Sequence, residues 1–350
     1  MQPQAEITSM LGPLLAPDPG RRALLERLHA ASGIRTRHLA LPLAAYAGLG
    51  SFRQANDLFI SLGTDLAAQA LKRALDLAGV QPAEVDLLLF TTVTGVAAPS
   101  IDALLVERLG LRPDVRRMPS FGLGCAGGAA GLASAHDYLV GHPRQVAVLV
   151  CLELCSLTLQ RGDDSTANLV SSAIFGDGSA AAVLVGDEWA TGDETGGAGH
   201  GSGPSVVASR SRLFPGTQDA LGWQIGDSGF RIVLSAGLPD VIQAHLAEEV
   251  AALLAPHGLT SADVGAWVVH AGGPKVLDAV CAALDLPAEA LDASRESLAT
   301  VGNLSSASVL HVLHTIDGRG RPADGTVGVV IAFGPGVGCE FVLLRWPTEV

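Results

Sequence analysis

GVQPAEVDLLLF, residues 79–90, returns in the second half of the chain as GLTSADVGAWVV, residues 258–269. In both stretches a glycine and a polar turn with an acidic residue lead into a valine that opens a short apolar run rich in β-formers, the pattern of a buried strand. The two registers stay together downstream, since Val85 lies 40 residues before Cys125 and Val264 lies 39 before Asn303. At those endpoints stand GCAGGAAGL (124–132) and GNLSSASVL (302–310), each a glycine, a polar residue and a run of small residues with helical character. A repeat of this kind implies two similar halves. It places Cys125 and Asn303 in equivalent positions, each opening a buried helix near the axis that relates the halves.

Other runs of the same length follow, among them QVAVLVCL (145–152), AAAVLVG (180–186) and VGVVIAF (327–333). Such segments suit strands covered on both faces. Helical patterns separate them: DLFISLGTDLAAQALKRALDLAG (57–79), IDALLVERLG (101–110) and LPDVIQAHLAEEVAALLAPHG (238–258). The alternation predicts an α/β architecture of layered helices and sheets. GDETGGAGHGSGP (192–204) is acidic, rich in glycine and without apolar period, so it reads as an exposed loop and as the seam between residues 1–204 and 205–350.

With 350 residues, 48% of them hydrophobic, the chain can bury a large core. A net charge of −13 argues against nucleic acid as a partner and requires any anionic ligand to be met by a local basic cluster. The five cysteines form no CxxC pair and sit in apolar segments, which fits a reduced compartment without disulfides or zinc. The N-terminus lacks a basic region followed by an apolar one, and no run reaches the roughly 18 apolar residues of a membrane span. The expected location is the cytoplasm.

Cys125 is wrapped in glycines. A thiol at a helix N-terminus faces unpaired N–H groups and the positive end of the helix dipole, which together favour thiolate. Gly122 and Gly124 would permit a sharp turn into the helix, while Gly127 and Gly128 would let the helix and a ligand come close. A buried structural cysteine fits the same residues. A nucleophile needs a base or cationic partner, and His270, ending a strand in VVHAGGPK (268–275), stands where side chains project into α/β active sites. Asn303 alone reads as a helix cap, but opposite Cys125 in the repeat it becomes a candidate oxyanion donor.

These segments, with FGDGSAA (175–181) and AFGPGVGCEFVLLRW (332–346), resemble the type III polyketide synthases, the chalcone-synthase-like members of the thiolase superfamily. The resemblance runs from about residue 5 to residue 346. It implies an αβαβα thiolase fold, a homodimer and a triad of Cys125, His270 and Asn303. Acyl-CoA and malonyl-CoA would be the substrates, with no metal or further cofactor. It also implies that Phe175 stands at the mouth of the site, and that the turn Gly334, Pro335, Gly336 shapes the floor. Coenzyme A would be met by Arg35 and Arg37 in GIRTRH (33–38) and by the backbone at Gly272 and Gly273.

In TTVTGVAAPSID (91–102), Ala98 replaces the methionine of plant members, while Thr94 and Cys155 match the mycobacterial alkylpyrone-forming relatives. Small side chains there would open a tunnel for a medium or long fatty acyl starter and give an alkylpyrone or alkylresorcinol. Phe230 and Ile232 both compete for the place of a second gatekeeper. Two other readings stay open. An initiating β-ketoacyl carrier-protein synthase shares the triad, although it usually has a glutamine-rich segment after its histidine and GGG in place of GPG. A non-catalytic acyl-binding protein of the same fold is the second.

Overall fold

The computed structural model describes residues 1–189, 203–235 and 237–347. A two-residue strand, β1 (Gln2–Pro3), precedes helices α1 (Gln4–Leu15) and α2 (Pro19–Ala31) and pairs with β2 (Thr36–Arg37). The long α3 (Phe52–Ala78) leads through the first copy of the repeated turn into β3 (Val85–Thr92), α4 (Ile101–Leu109), β4 (Arg116–Phe121), α5 (Gly127–Gly141), β5 (Val146–Leu154), α6 (Thr166–Ile174) and β6 (Asp177–Val185). The loop expected over 192–204 lies, up to Ser202, outside the described residues. Beyond it run β7 (Ser205–Leu213), the hairpin β8 (Leu221–Gly226) and β9 (Gly229–Leu234), and α7 (Leu238–Leu254). The second copy of the turn feeds β10 (Val264–Val269), followed by α8 (Pro274–Leu284), α9 (Asp292–Val301), α10 (Ser308–Arg319), β11 (Val327–Gly334) and β12 (Gly338–Arg345).

The repeat read from sequence is visible in the sheets. One has the strand order β4-β3-β5-β6 and the other β10-β11-β12-β7. In each, the strand after the shared turn pairs parallel with its neighbour, β3 with β5 and β10 with β11, and the next pairing, β5 with β6 and β11 with β12, is antiparallel. The outer strands break the symmetry, β4 lying beside β3 and β7 beside β12.

Strand alternation builds five layers. Leu88 and Phe90 of β3 and Val148 and Val150 of β5 face an outer core with α1, α3 and α4, while Leu87, Leu89, Ala147 and Leu149 face inward. On the other sheet Trp267 and Val269 of β10 and Ile331 of β11 face α7 and α8, while Val268, Val330 and Ala332 face inward. The inward faces meet on α5 and α10, which form the middle layer. Both sheets are thus covered on both sides, which is why their strands read as continuous apolar runs and not as alternating ones. Among the described residues, no helix is long and apolar enough to cross a membrane.

Candidate active site

The glycines around Cys125 fit two steep constraints. Gly122 (φ +102) and Gly124 (φ +53) lie in the left-handed region that favours glycine, and a Cβ on Gly124 would come within 2.6 Å of Pro335 Cδ. Gly128 faces the other way, and a Cβ there would sit 2.2 Å from the Ser306 carbonyl oxygen. It lets α5 press against the Ser305–Ala307 turn of the other half, an approach to protein and not to a ligand. Cys125 occupies a single 3-10 turn, Gly124–Ala126, just ahead of α5. Its half-buried thiol donates to Ser305 Oγ over 3.6 Å. The expected thiolate is not favoured in this state. Burial pushes the Cys125 thiol up to about 12, and the Glu153 carboxyl adds to the rise, against hydrogen bonds with Ser305 and Asn303.

His270 follows the last residue of β10, with its N–H on the Ile331 carbonyl (2.8 Å) and its ring 2% exposed. Burial lowers its pKa to about 4, so the imidazole is neutral at physiological pH. Its Nδ1 is buried without a protein hydrogen-bond partner. A Cβ on Gly272 would lie 3.3 Å from Nε2, so glycine keeps that face of the ring open.

Asn303 forms an isolated β-bridge with Phe175. Its N–H donates to Ile174 O (2.8 Å), and its carbonyl accepts from Gly176 N–H (2.9 Å). The side-chain Oδ1 accepts the Ser305 N–H at 2.8 Å, which assigns the amide orientation and turns Nδ2 toward the Gly272 carbonyl at 3.4 Å. The exact equivalence expected from the repeat is corrected here. Cys125 lies inside the turn that opens α5, whereas the matching turn before α10 is Ser305–Ala307, so its partner by position is Ser306 and Asn303 lies upstream.

Sequence reading missed Glu153, which is fully buried in β5. It accepts from Val93 N–H (3.1 Å), Thr94 Oγ1 (2.9 Å), Ser306 Oγ (2.5 Å) and Ser305 Oγ (3.3 Å), the same hydroxyl that receives the Cys125 thiol. Burial raises it to about 7 against those hydrogen bonds. A carboxyl inside an apolar strand is the signal that could have found it. Because its charge disfavours thiolate at Cys125, Glu153→Gln should speed alkylation of Cys125 by iodoacetamide at neutral pH by about threefold to tenfold, one pKa unit being tenfold. Rates followed by intact mass across pH check this. An unchanged profile would remove Glu153 from the electrostatics of the thiol.

A cavity of ≈ 30 Å³ opens in front of Cys125, lined also by Thr94, Cys155, Phe175, Ile232, Ser305 and Pro335 and by Leu221, Gly222 and Trp223 of the β8–β9 hairpin. Sequence reading had not singled out Leu221, Gly222 or Trp223. Between the two gatekeeper candidates, Ile232 lines the cavity. Phe230 is buried behind it, edge-on to Phe52 at 5.3 Å and 5.9 Å from Trp223 between ring centres. Of the expected floor, only Pro335 lines the space. Gly334 packs under the Cys125 turn, where a Cβ would lie 2.4 Å from Leu123 O, and the Gly336 carbonyl accepts from Thr217 Oγ1 at 2.8 Å.

Two expectations are corrected. Ala98 does not line this cavity. It is exposed on the rim of a separate hollow of ≈ 410 Å³ between α3, α4 and β4, so its small size opens no acyl tunnel within this subunit. Arg37 does not face solvent phosphates, because it is 2% exposed and donates to the Phe175 carbonyl and to Gln4. Gly272 lies against the ring of His270, and Gly273 stands at the start of α8. Arg35 is exposed, and its main chain holds Ala299.

Comparison with known proteins adds to this geometry. The family model for the N-terminal domain of chalcone and stilbene synthases matches residues 18–188, and that for the C-terminal domain matches residues 205–347. The chain is 56% identical over 343 residues to a 1,3,6,8-tetrahydroxynaphthalene synthase of Streptomyces peucetius subsp. caesius, covering 98% of this chain and 89% of that one. It is 34% identical over 333 residues to the alpha-pyrone synthesis polyketide synthase-like Pks18 of Mycobacterium tuberculosis, covering 93% and 83%. Among solved structures, 1,3,6,8-tetrahydroxynaphthalene synthase of Streptomyces coelicolor A3(2), described as a bacterial type III polyketide synthase, superposes with a TM-score of 0.90 at 30% identity, covering 99% and 96%.

Proposed function

Because the chain belongs to the chalcone and stilbene synthase family, with the thiolase fold and the coenzyme A thioester chemistry of type III polyketide synthases, we propose that it condenses malonyl-CoA units into an aromatic polyketide of the 1,3,6,8-tetrahydroxynaphthalene kind. The relative at 56% identity over 98% of this chain supports this choice of product. Ala98 does not line the space in front of Cys125, which removes one of the residues that suggested a medium or long fatty acyl starter.

Each residue of the site has a task in this reading. His270, held neutral by burial, takes the proton of the Cys125 thiol as the thioester arrives. The thiolate attacks the starter carbonyl, the C–S bond to coenzyme A breaks, and the leaving thiolate recovers the proton from the imidazolium. Malonyl-CoA then binds with its thioester oxygen toward Asn303 Nδ2 and the remaining imidazole N–H. Its carboxylate leaves as carbon dioxide, and the electron pair passes into an enolate held by those two donors. The enolate carbon attacks the acyl-Cys125 carbonyl and expels the Cys125 thiolate, leaving a β-ketoacyl-CoA with two more carbons. Repetition and ring closure complete the product. Phe175, Ile232 and Trp223 line the space in front of Cys125.

The reading includes a homodimer. Strand β4 ends its sheet with a free edge, and Val96, Met118, Phe121 and Leu123 around it are exposed apolar side chains. Beneath this face Asp102 is fully buried, with one oxygen on Arg117 (2.9 Å) and the other without a partner.

The deciding experiment gives the purified protein malonyl-CoA as its only substrate. Release of carbon dioxide and a product that co-elutes with authentic 1,3,6,8-tetrahydroxynaphthalene are expected, with light scattering giving the mass of a dimer. Products formed only from fatty acyl-CoA starters would restore the alkylpyrone reading. Products formed only with carrier-protein thioesters would support the initiating synthase, and no turnover of any thioester would leave an acyl-binding protein.

A further inference from the structure

We propose that Arg37 is a positioning residue that aims Asn303 by holding the carbonyl of Phe175, so that the N-terminal segment acts on malonyl decarboxylation without touching substrate. Arg37 sits on β2, ahead of the catalytic layers, and its side chain is 2% exposed. Nη1 donates to the Phe175 carbonyl at 2.5 Å and Nε to Gln4 Oε1 at 2.9 Å. Gln4 Nε2 in turn donates to the Ala173 carbonyl at 2.9 Å. The other side of the same short segment is occupied by Asn303, through Ile174 O and Gly176 N. Residues 173–176 are therefore gripped from one side by Arg37 and Gln4 and from the other by the residue whose amide points into the site.

Arg37 also touches the turn that delivers Asn303. Gly302 (φ +77) carries no Cβ, and one placed there would lie 3.0 Å from Arg37 Cδ and 3.1 Å from Cγ. The methylene stem of Arg37 fills that space and fixes the path of the backbone one residue before Asn303. Burying the guanidinium is costly. Among the described residues no carboxylate bonds to it directly, and its Nη2 is buried without a hydrogen-bond partner. An apolar side chain of similar length would fill the volume at lower cost, but it could not direct the Phe175 carbonyl. Displacing a reacting or stabilising group by about 1 Å costs on the order of 10²-fold in rate, and that is what the clamp prevents.

This inference rests on the decarboxylating condensation proposed above, and the test separates the two. Parent, Arg37→Met, Arg37→Lys and Gln4→Ala proteins are compared for carbon dioxide release from malonyl-CoA and for acylation of Cys125 followed by intact mass. For Arg37→Met the decarboxylation kcat should fall by about 10²-fold with KM for malonyl-CoA within about twofold, while acylation stays within about threefold of the parent. Lysine, which restores one donor to the Phe175 carbonyl, should recover about a tenth to a half of the loss, and methylguanidine should raise the rate of Arg37→Met but not of the parent. Gln4→Ala keeps the buried charge and frees its tether, so it should show a smaller loss with the same split and decides the matter if Arg37→Met does not fold. Equal loss of acylation and decarboxylation, or a decarboxylation rate within about twofold of the parent, would overturn the role of Arg37. A parent protein that releases no carbon dioxide would instead overturn the proposed function.

Discussion

Cys125→Ala protein should form no extended product and should carry no acyl group in its intact mass, a loss of at least about 10³-fold in polyketide formation. The reason is specific to this thiol. Of the five cysteines, Cys151 and Cys339 are buried in strands, and Cys281 lies on α8 away from the cavity. Cys155 does line the same cavity. Yet burial and the charges of Glu153 and Asp177 raise its thiol well above the ordinary value, and it lies in the turn after β5, with no hydrogen bond to the Ser305 hydroxyl that receives Cys125. Alkylation of Cys125 by iodoacetamide, followed by intact mass, should therefore stop turnover. Decarboxylation of malonyl-CoA depends on His270 and Asn303 in this mechanism, so slow release of carbon dioxide should survive Cys125→Ala. Chain extension that persists after complete modification of Cys125 would refute the nucleophile.

Asn303→Ala is expected to cost about 10² to 10³ in malonyl decarboxylation, the usual price of one oxyanion donor, and to leave starter loading nearly intact. The geometry argues for this split. Asn303 Oδ1 is committed to the Ser305 N–H, which leaves Nδ2 as the donor, and the neighbouring Gly272 carbonyl holds it at 3.4 Å, a weak contact that a substrate oxygen can replace. In the proposed mechanism His270 has two tasks, proton transfer with Cys125 and donation to the enolate, so His270→Ala should lower loading and decarboxylation together. Loading is read by intact mass and decarboxylation by carbon dioxide release. An Asn303→Ala enzyme that decarboxylates at the parent rate would take Asn303 out of the oxyanion site.

Much of the architecture was legible because it is repeated. The turn before Val85 and its copy before Val264 each start a strand at the place expected, and α4 and α7 fall where the helical period put them. The hairpin β8–β9 was not read, although GDSG at 226–229 is a turn signal, and with it went Trp223. Its strands alternate too loosely to stand out, and what makes Trp223 matter is the packing of the hairpin over Cys125, which is tertiary. Glu153 escaped for a similar reason, since the hydroxyls that satisfy it come from Ser305 and Ser306 in the other half. Arg37 was misread because a basic residue in GIRTRH carries no mark of burial. Its partners, Gln4 and the Phe175 carbonyl, are far off in sequence. Ala98 failed in the opposite sense, a small residue taken as lining a cavity that it does not reach.

The bridge between Phe175 and Asn303 ties the second half of the chain to the first at the active site itself. During synthesis, a chain that has emerged only as far as β9 already possesses its thiol, but neither His270 nor Asn303 exists yet to draw out a proton or steady an enolate. In the proposed mechanism catalytic competence therefore waits for the opening turn of α10 to pack against Gly128. Activity in such a molecule would report the docking of both halves, because the residues proposed to share the chemistry come from each of them.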